Sequence, residues 1–156
     1  MQEKSTPPLP RLRAAAVIVR DDTVLLVEHL KQGRRNYLLP GGGVGFGESL
    51  HEALRRELWE EARMDIVPGG LLFISESIAP DDERHMVQIA FAAQSDDEPQ
   101  LGDDPRVSGF RFAGIDELPR LEMLPAIQPL LVEGLRAGFS AAPTYLGNVW
   151  RDIGTP

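Results

Sequence analysis

Three glutamates, Glu57, Glu60 and Glu61, form the group of side chains with the clearest chemical potential in this sequence. On a helix of about 3.6 residues per turn, Glu57 and Glu61 fall on the same stripe as Leu54 and Leu58, which should face the core. Ionised carboxylates are costly to bury unless they are paired or bind a cation. Like charges three or four positions apart also destabilise a helix slightly. The pattern therefore points to a cation site.

The alternative is an ordinary solvated helix face whose glutamates pair with Arg55 and Arg56. The core-facing position of the acids, and the glycine-rich segment from Gly41 to Gly47 before the helix, favour the cation site instead. The chain has no Cys, and no His lies among the three acids. Oxygen ligands of this kind suit a hard cation, so Mg²⁺ or Mn²⁺ is expected rather than Zn²⁺.

Composition limits the classes of protein that this chain can belong to. Its 156 residues correspond to one domain, and 16 basic against 24 acidic residues give a net charge of -8. The absence of Cys excludes disulfides, thiolate metal sites and a Cys nucleophile. The acidic balance argues against a nucleic-acid partner, and no apolar run approaches the ~20 residues that span a bilayer.

The catalytic candidates need a scaffold, and the sequence indicates strands interleaved with helices. A helix is predicted from Glu48 to Ala62, and loops are predicted at Lys31–Asn36 and Ser95–Pro105. The glycine-rich segment should be neither a helix nor a plain strand. The remaining expectations are a hairpin of Arg13–Arg20 with Thr23–His29, strands at Ile66–Ile78, His85–Ala93 and Val107–Phe112, a helical turn at Ile115–Leu118 and a helix at Pro125–Ala137. This order predicts an α/β fold with a mixed sheet.

Spacing within the helical segment resembles a known family. The chain has Gly42, five further residues, Glu48, seven further residues and then Arg56–Glu61. This spacing resembles the Nudix box, which would span Gly42–Met64 here. The resemblance extends over roughly Leu12 to Ala137. It implies a Nudix-type α/β/α sandwich with a mixed parallel and antiparallel sheet. It also implies hydrolysis of a nucleoside diphosphate linked to another group.

The resemblance also implies roles for individual residues. In the family, the residues matching the three glutamates hold divalent ions, so two or three Mg²⁺ or Mn²⁺ ions are expected per site. A backbone carbonyl matching that of Gly41 often assists. The family arginine at the position of Arg56 holds the carboxylates by ion pairing. The family glutamate at the position of Glu48 supports the site through metal-bound water or a neighbouring contact. Such ions would polarise the diphosphate and lower the pKa of a bound water.

Two positions depart from the family pattern. The box normally ends with a glycine where this chain has Arg63. Either Arg63 adopts the left-handed conformation at a cost of ~1–2 kcal/mol, or the helix runs on through Met64. Many relatives carry a further glutamate where this chain has Arg106. The general base is therefore open between Glu57, hydroxide on the metal, and a loop acid, which would be Glu98, Asp103 or Asp104.

Substrate choice is indicated more weakly than the chemistry. Pro80 lies 16 positions after Met64, an offset that resembles ADP-ribose pyrophosphatases, although a proline there also suits a turn. ADP-ribose is therefore the first candidate. Six residues are predicted to contact the substrate, although the charged ones could be solvated and the tyrosine could belong to the core: Arg34, Arg35, Tyr37, Gly42, Arg84 and His85.

Organisation and partners complete the expectations. Residues 1–10 should form a disordered arm, residues 11–140 the hydrolase domain, and residues 141–156 a tail packed on the domain or on a second subunit. Met1–Pro10 has no apolar signal-peptide core, so a cytoplasmic protein is expected. A homodimer with a small nucleotide substrate and no membrane partner fits these features. The rival functions are a nucleotide-binding module without catalysis, and a pyrophosphohydrolase of nucleoside triphosphates or RNA 5′ ends.

Overall fold

The computed structural model describes residues 8–150 and contains two β-sheets and two α-helices. Most of the predicted N-terminal arm and the last residues of the tail, 1–7 and 151–156, lie outside the described residues. None of the described helices is both long and apolar enough to cross a membrane. The elements are β1 (Arg11–Val17), β2 (Val19–Arg20), β3 (Thr23–Lys31), β4 (Arg34–Leu38), β5 (Gly41–Gly43), α1 (Leu50–Ala62), β6 (Val67–Ile78), β7 (His85–Gln94), β8 (Val107–Gly114), α2 (Gln128–Ala137) and β9 (Thr144–Asn148).

The larger sheet mixes parallel and antiparallel pairs, as the sequence predicted. Its strand order is β5-β1-β7-β6-β9, in which β1 runs parallel to β7 and β6 runs parallel to β9. The β1–β5 and β6–β7 pairs are antiparallel. In the smaller sheet β3 is central, with β8 on one edge and the short strands β2 and β4 on the other.

Strand β1 is the centre of the molecule because both of its faces are buried. Ala14 and Ala16 belong to the apolar cluster that includes Leu54 and Leu58 of α1. The alternate residue Ala15 belongs to the second cluster, which α2 covers. Successive side chains of a strand point to opposite faces, so a strand covered on both sides has apolar residues at consecutive positions. The two helices therefore enclose the sheets in an α/β/α arrangement.

The predicted hairpin was wrong in its first strand. Of the predicted first strand, only Val19 and Arg20 pair with β3. They do so across a tight turn at Asp21–Asp22, where both φ angles are positive. The preceding residues, Arg11–Val17, leave for the larger sheet and pair with β5 and β7. The apolar pattern identifies a buried strand but does not identify its partner.

The predicted loop at Lys31–Asn36 was also wrong in part. Residues from Arg34 onward form β4, which pairs antiparallel with β3 after a turn at Gln32–Gly33. A short, basic strand at a sheet edge has little buried surface and so leaves a weak sequence signal. Gly41–Gly43, expected to form no plain strand, is the short strand β5 against β1.

Helix α1 has well-defined ends. Ser49 caps its N-terminus in a capping box with Glu52, which satisfies backbone groups at both positions. At the other end Arg63 takes the left-handed conformation, with φ of 53° and ψ of 33°, so the helix does not run on through Met64. Arg63 also pairs with Asp103 at 2.6 Å. The second helix begins at residue 128, later than predicted, with a proline in its first turn.

The left-handed Arg63 gives a test of backbone strain. Arg63→Gly and Arg63→Ala both remove the ion pair, but only glycine adopts this conformation without steric cost. We expect the free energy of unfolding to be about 1 kcal/mol higher for Arg63→Gly than for Arg63→Ala, measured by urea denaturation. At the exposed helical position Arg55 the same two substitutions should rank in the opposite order. Equal stabilities of the two position-63 variants would contradict the assigned backbone conformation.

Candidate active site

The face of α1 that carries the glutamates is directed inward, as the helical pattern predicted. Glu61 is only 2% exposed and lies among buried apolar residues of the helix such as Leu58. The side chain of Glu57 is 12% exposed, whereas that of Glu60 is 45% exposed at the edge of the site. The three carboxylates therefore form a gradient from buried to accessible along one side of the helix.

Glu61 connects the helix to the glycine segment. Its Oε2 accepts a hydrogen bond of 2.9 Å from the backbone N–H of Gly41. Burial raises the pKa of Glu61 to about 7, because the carboxylate is cut off from water. The Gly41 N–H and the nearby charge of Arg13 oppose this rise, while the charges of Glu57 and Asp104 add to it. A carboxylate in this state would gain from a nearby cation.

Gly42 provides the space that Glu57 occupies. A Cβ placed on Gly42 would lie 2.2 Å from Cδ of Glu57, far inside van der Waals contact. Any larger residue at this position would displace the carboxylate. Gly41 has a different requirement, since its φ is +145° and a Cβ there would lie 2.0 Å from the carbonyl oxygen of Ala14. Gly42 therefore leaves space for the Glu57 carboxylate, and Gly41 leaves space for the backbone of β1.

Arg56 links the remaining acids. Its Nε donates to Glu48 at 2.7 Å, and its Nη1 donates to Glu57 at 2.9 Å and to Glu60 at 3.3 Å. Its Nη2 also donates to the carbonyl of Gly43 at 2.9 Å. These bonds raise the pKa of Arg56 far above its ordinary value. The Arg56 guanidinium, with the Gly45 N–H, lowers the pKa of Glu48 to about 2.

The oxygen atoms gathered at this site are of the chemical type that binds a hard cation. Within residues 8–150, no three Asp, Glu or His side chains are arranged to hold a metal ion directly. Arg56 contacts two of the box glutamates, Glu57 and Glu60, and Gly41 holds the third. The groups present are nonetheless carboxylate and carbonyl oxygens, the ligands that Mg²⁺ and Mn²⁺ prefer. A cation would compete with Arg56 for these oxygens.

The loop acids considered as general bases are all engaged in ion pairs. Asp104 forms a two-pronged contact with Arg106, with distances of 3.0 Å and 2.7 Å. This contact lowers the pKa of Asp104 below its ordinary value. The other pairs are Asp103–Arg63 at 2.6 Å and Glu98–Arg20 at 2.8 Å. A carboxylate held by a guanidinium is a weaker base at neutral pH.

The candidates on β4 lie in the smaller sheet. Arg34 pairs with Glu122 at 2.9 Å, and Arg35 lies 3.6 Å from Glu28. Tyr37 is 6% exposed and donates its hydroxyl to Glu28 at 2.9 Å, so it belongs to the core. All three side chains are engaged within the smaller sheet and its neighbouring loop.

Arg84 and His85 lie at the tip of the β6–β7 hairpin. The Arg84 guanidinium stacks 5.0 Å from the ring of Trp150, and the Nε2 of His85 is 3.2 Å from Glu76. Of the six predicted substrate residues, Gly42 is the one whose contacts reach the box glutamates.

A shallow, open cleft of about 570 Å³ lies beside the acids. It is lined by Gly45, Phe46, Gly47, Glu48, Glu52 and Arg56. The ring of Phe46 is fully exposed on its rim, between two glycines. An aromatic ring in such a position offers an apolar face to a flat ligand group.

Arg13 is a site residue that sequence reasoning missed. It is 8% exposed, and its Nη2 donates to the carbonyl of Gly41 at 3.3 Å. The sequence did contain an indication of this, because Arg13 lies on the same face of β1 as the buried residues Ala15 and Val17. An arginine at an inward position of a buried strand requires hydrogen-bond partners.

Comparison with known proteins gives a consistent result. The family model described as "NUDIX domain" matches residues 10–133. The curated relative "Phosphatase NudJ" of Escherichia coli strain K12 is 27% identical over 128 residues. This match covers 81% of this chain and 82% of the relative.

Solved structures share the fold. A NUDIX hydrolase from Nitrosomonas europaea matches with a TM-score of 0.72 and 26% identity, over 83% of this chain and 90% of that chain. An ADP-ribose pyrophosphatase from Streptococcus suis matches with a TM-score of 0.66 and 20% identity, over 88% of this chain and 99% of that chain. At 20% identity the second match supports the fold alone.

The raised pKa of Glu61 predicts a pH dependence of stability in the absence of divalent metal. The folded pKa of about 7 lies above the ordinary value of 4.5, so the folded state binds more protons between these pH values. The free energy of unfolding of the wild type should therefore fall by about 3 kcal/mol, relative to Glu61→Gln, as pH rises from 4.5 to 7. Denaturation in EDTA measures this, and parallel pH profiles of the two proteins would contradict the burial effect.

The contact between Gly42 and Glu57 predicts a separation of activity from stability. Gly42→Ala should push the Glu57 carboxylate aside and lower kcat at least 100-fold on whichever substrate the wild type hydrolyses. Its melting temperature should change little, because the displaced group is the end of a flexible side chain. Gly43→Ala is the matched control, since a Cβ there has no atom nearer than 4.0 Å. Normal turnover by Gly42→Ala would show that Glu57 needs no fixed position.

Proposed function

The chain belongs to the NUDIX domain family and is a Nudix hydrolase, and we propose that it acts with divalent cations on nucleoside diphosphates linked to a further group. One observation carries this proposal: Glu57 and Glu61, on one face of α1, both lie against the Gly41–Gly42 turn. Pyrophosphatase activity is consistent with the hydrolase relatives.

The cation site is proposed at the oxygens of Glu57, Glu60 and Glu61, with the carbonyl of Gly41. These groups would hold two or three Mg²⁺ or Mn²⁺ ions. When bound, such ions polarise the diphosphate and lower the pKa of an attacking water. Glu60 is the most accessible of the acids and has the longest contact with Arg56, at 3.3 Å. It is therefore the carboxylate that can most readily exchange a guanidinium for a cation.

Arg56 and Glu48 act as supports in this proposal. The guanidinium of Arg56 bridges Glu48, Glu57 and the Gly43 carbonyl, so it joins the helix to the glycine turn. This bridge orients Glu57 and balances part of the acidic charge. Glu48 holds the other side of Arg56 and accepts the Gly45 N–H at 2.8 Å. Both residues therefore keep the carboxylates in place before substrate arrives.

Asp104 is proposed to act through Arg106 rather than as a base. Its ion pair lowers its pKa, which weakens it as a proton acceptor at neutral pH. The side chain of Arg106 is 71% exposed, and its pKa is raised by the hydrogen bond to Asp104 and, to a smaller extent, by the charges of Glu61 and Glu57. Asp104 therefore orients a positive group that can meet a phosphate. Glu57 and metal hydroxide remain the candidates for water activation.

ADP-ribose is proposed as the first substrate to test. Pro80 lies exposed in the β6–β7 turn, where a proline also serves the backbone. Phe46 on the cleft rim offers a stacking surface for a base, while Arg34, Arg35, Arg84 and His85 stay candidates for contacts with the distal end of a long substrate. Tyr37 is buried in the core and is not among them.

Location and assembly complete the proposal. We propose a cytoplasmic protein whose domain spans residues 11–140. Residues 141–156 form its tail, and β9 within this tail pairs with β6. A homodimer is proposed from the exposed aromatic Tyr145 on that tail, which is 64% exposed. Neither proposal bears on the chemistry of the site.

A substrate panel tests the proposed function. Wild-type protein with Mg²⁺ or Mn²⁺ should convert ADP-ribose, or another nucleoside diphosphate derivative, to two phosphorylated products detected by mass spectrometry. Glu57→Gln should lower kcat by at least 100-fold with the fold intact, because a neutral amide is a poor cation ligand. Glu133→Gln is the matched control, because this glutamate lies on α2, outside the box, with its side chain 74% exposed, and it should keep the wild-type rate.

Each alternative function gives a different outcome in this panel. If the protein binds nucleotides and forms no product, it is a nucleotide-binding module and the proposed hydrolysis is wrong. Faster turnover of nucleoside triphosphates or of a 5′-triphosphorylated oligonucleotide would assign the rival pyrophosphohydrolase activity. Wild-type turnover by Glu57→Gln would remove the box from the mechanism.

A further inference from the structure

Arg13 is a charged residue within a buried strand, and ordinary stability does not explain its presence there. Its neighbours at the same strand parity, Ala15 and Val17, are apolar and buried. Burial lowers the pKa of its guanidinium, because the charged form loses its hydration. A buried guanidinium needs well-placed acceptors, or it destabilises the fold.

Two of the three acceptors of Arg13 lie on one short segment, Leu39–Gly41, and the third lies on β7. Nη2 donates to the carbonyls of Leu39 at 2.7 Å and Gly41 at 3.3 Å, and Nη1 donates to Oε1 of Gln88 at 2.6 Å. All three are neutral oxygens. The guanidinium therefore bridges the two carbonyls on either side of Pro40 and holds them against the larger sheet.

The bridged segment is the one that positions the box acids. Gly41 donates its N–H to Glu61, and Gly42 lies directly against the carboxylate of Glu57. A rotation of the peptide groups near Gly41 would change both contacts at once. Arg13 therefore acts on the acids through the backbone, without touching either carboxylate.

Two buried polar groups near Arg13 have no hydrogen-bond partner within residues 8–150. Gln88 turns its oxygen toward Arg13, and its buried Nε2 has no hydrogen-bond partner among the described residues. The buried hydroxyl of Ser75, its neighbour across the β6–β7 pair, also has none within this part of the chain. Unpartnered buried polar groups are uncommon in folded proteins, and they concentrate where a sequence serves function at the expense of stability.

We propose that Arg13 is a positioning residue for hydrolysis, and that its planar fork fixes the Leu39–Gly41 segment and thereby the geometry of Glu57 and Glu61. The proposal deepens the proposed function and rests on it for its kinetic part. Geometry rather than charge is the essential property, because the acceptors are neutral and lie in different directions. Lysine, which has a compact ammonium group, cannot span them.

Arg13→Lys tests the proposal, because it keeps the positive charge and loses the fork. We expect kcat to fall at least 10-fold with KM changed less than 3-fold, and the Mg²⁺ concentration for half-maximal activity to rise several-fold. Gln88→Met, which leaves Arg13 in place without its orienting oxygen, should show a smaller change in the same direction. Arg11→Gln is the control, an exposed arginine on the same strand.

A second measurement needs neither metal nor substrate. Amide hydrogen exchange followed by NMR should show faster exchange of the Gly41 N–H in Arg13→Lys, while amides in the middle of α1 keep their protection. This result would stand even if the substrate assignment failed. An unchanged Gly41 exchange rate, or wild-type kcat and Mg²⁺ dependence per folded molecule, would overturn the proposal. A variant that only loses thermal stability, with normal turnover when folded, would also overturn it.

Discussion

The hydrogen bond between Glu61 and the backbone of Gly41 joins the helix α1 to the strand β5, and the geometry of the site depends on it. Glu61 is almost fully buried, so its carboxylate cannot turn toward water unless this interface opens. Gly41 in turn pairs with Ala15 of β1, where its φ of +145° and its close contact with the carbonyl of Ala14 leave room for glycine only. The next residue, Gly42, then meets Glu57. Both acids are thus held against the same glycine turn.

The negative charge around the site supports the proposal that a phosphate substrate binds together with a cation. The chain has a net charge of -8, and several carboxylates gather within reach of Arg56. A diphosphate approaching this surface would be repelled. Arg56 balances part of the charge but already serves three carboxylates, so it has little capacity left for phosphate. Divalent ions on the same oxygens would reverse the sign of the local potential, which makes cation binding and substrate binding coupled events.

The parts of the fold that could be predicted are those fixed by local sequence. The inward direction of Glu57 and Glu61 follows from the helical repeat, because a helix has its own hydrogen bonds and a fixed period. Strand β4 could not be predicted, since its basic residues are held by pairing with β3, a contact that depends on the turn between them. Arg13 was missed for a related reason. Whether a residue of β1 faces a core, a cleft or solvent depends on which sheet the strand joins, and that is decided by distant segments.

The acidic loop shows how the surrounding fold restricts the chemistry. A loop acid is one of the candidates for the general base, and the backbone N–H groups of this loop bond to the end of α1, pairing Gln100 with Ala62, Gly102 with Glu61 and Asp103 with Glu60. A Cβ on Gly102 would lie 1.9 Å from the carbonyl oxygen of Glu60, so the loop packs directly on the helix end. The backbone of the loop is therefore fixed to the end of the helix that carries Glu60 and Glu61. Three of its acids, Glu98, Asp103 and Asp104, pair with arginines, which supports the proposal that water activation belongs to Glu57 or to metal hydroxide.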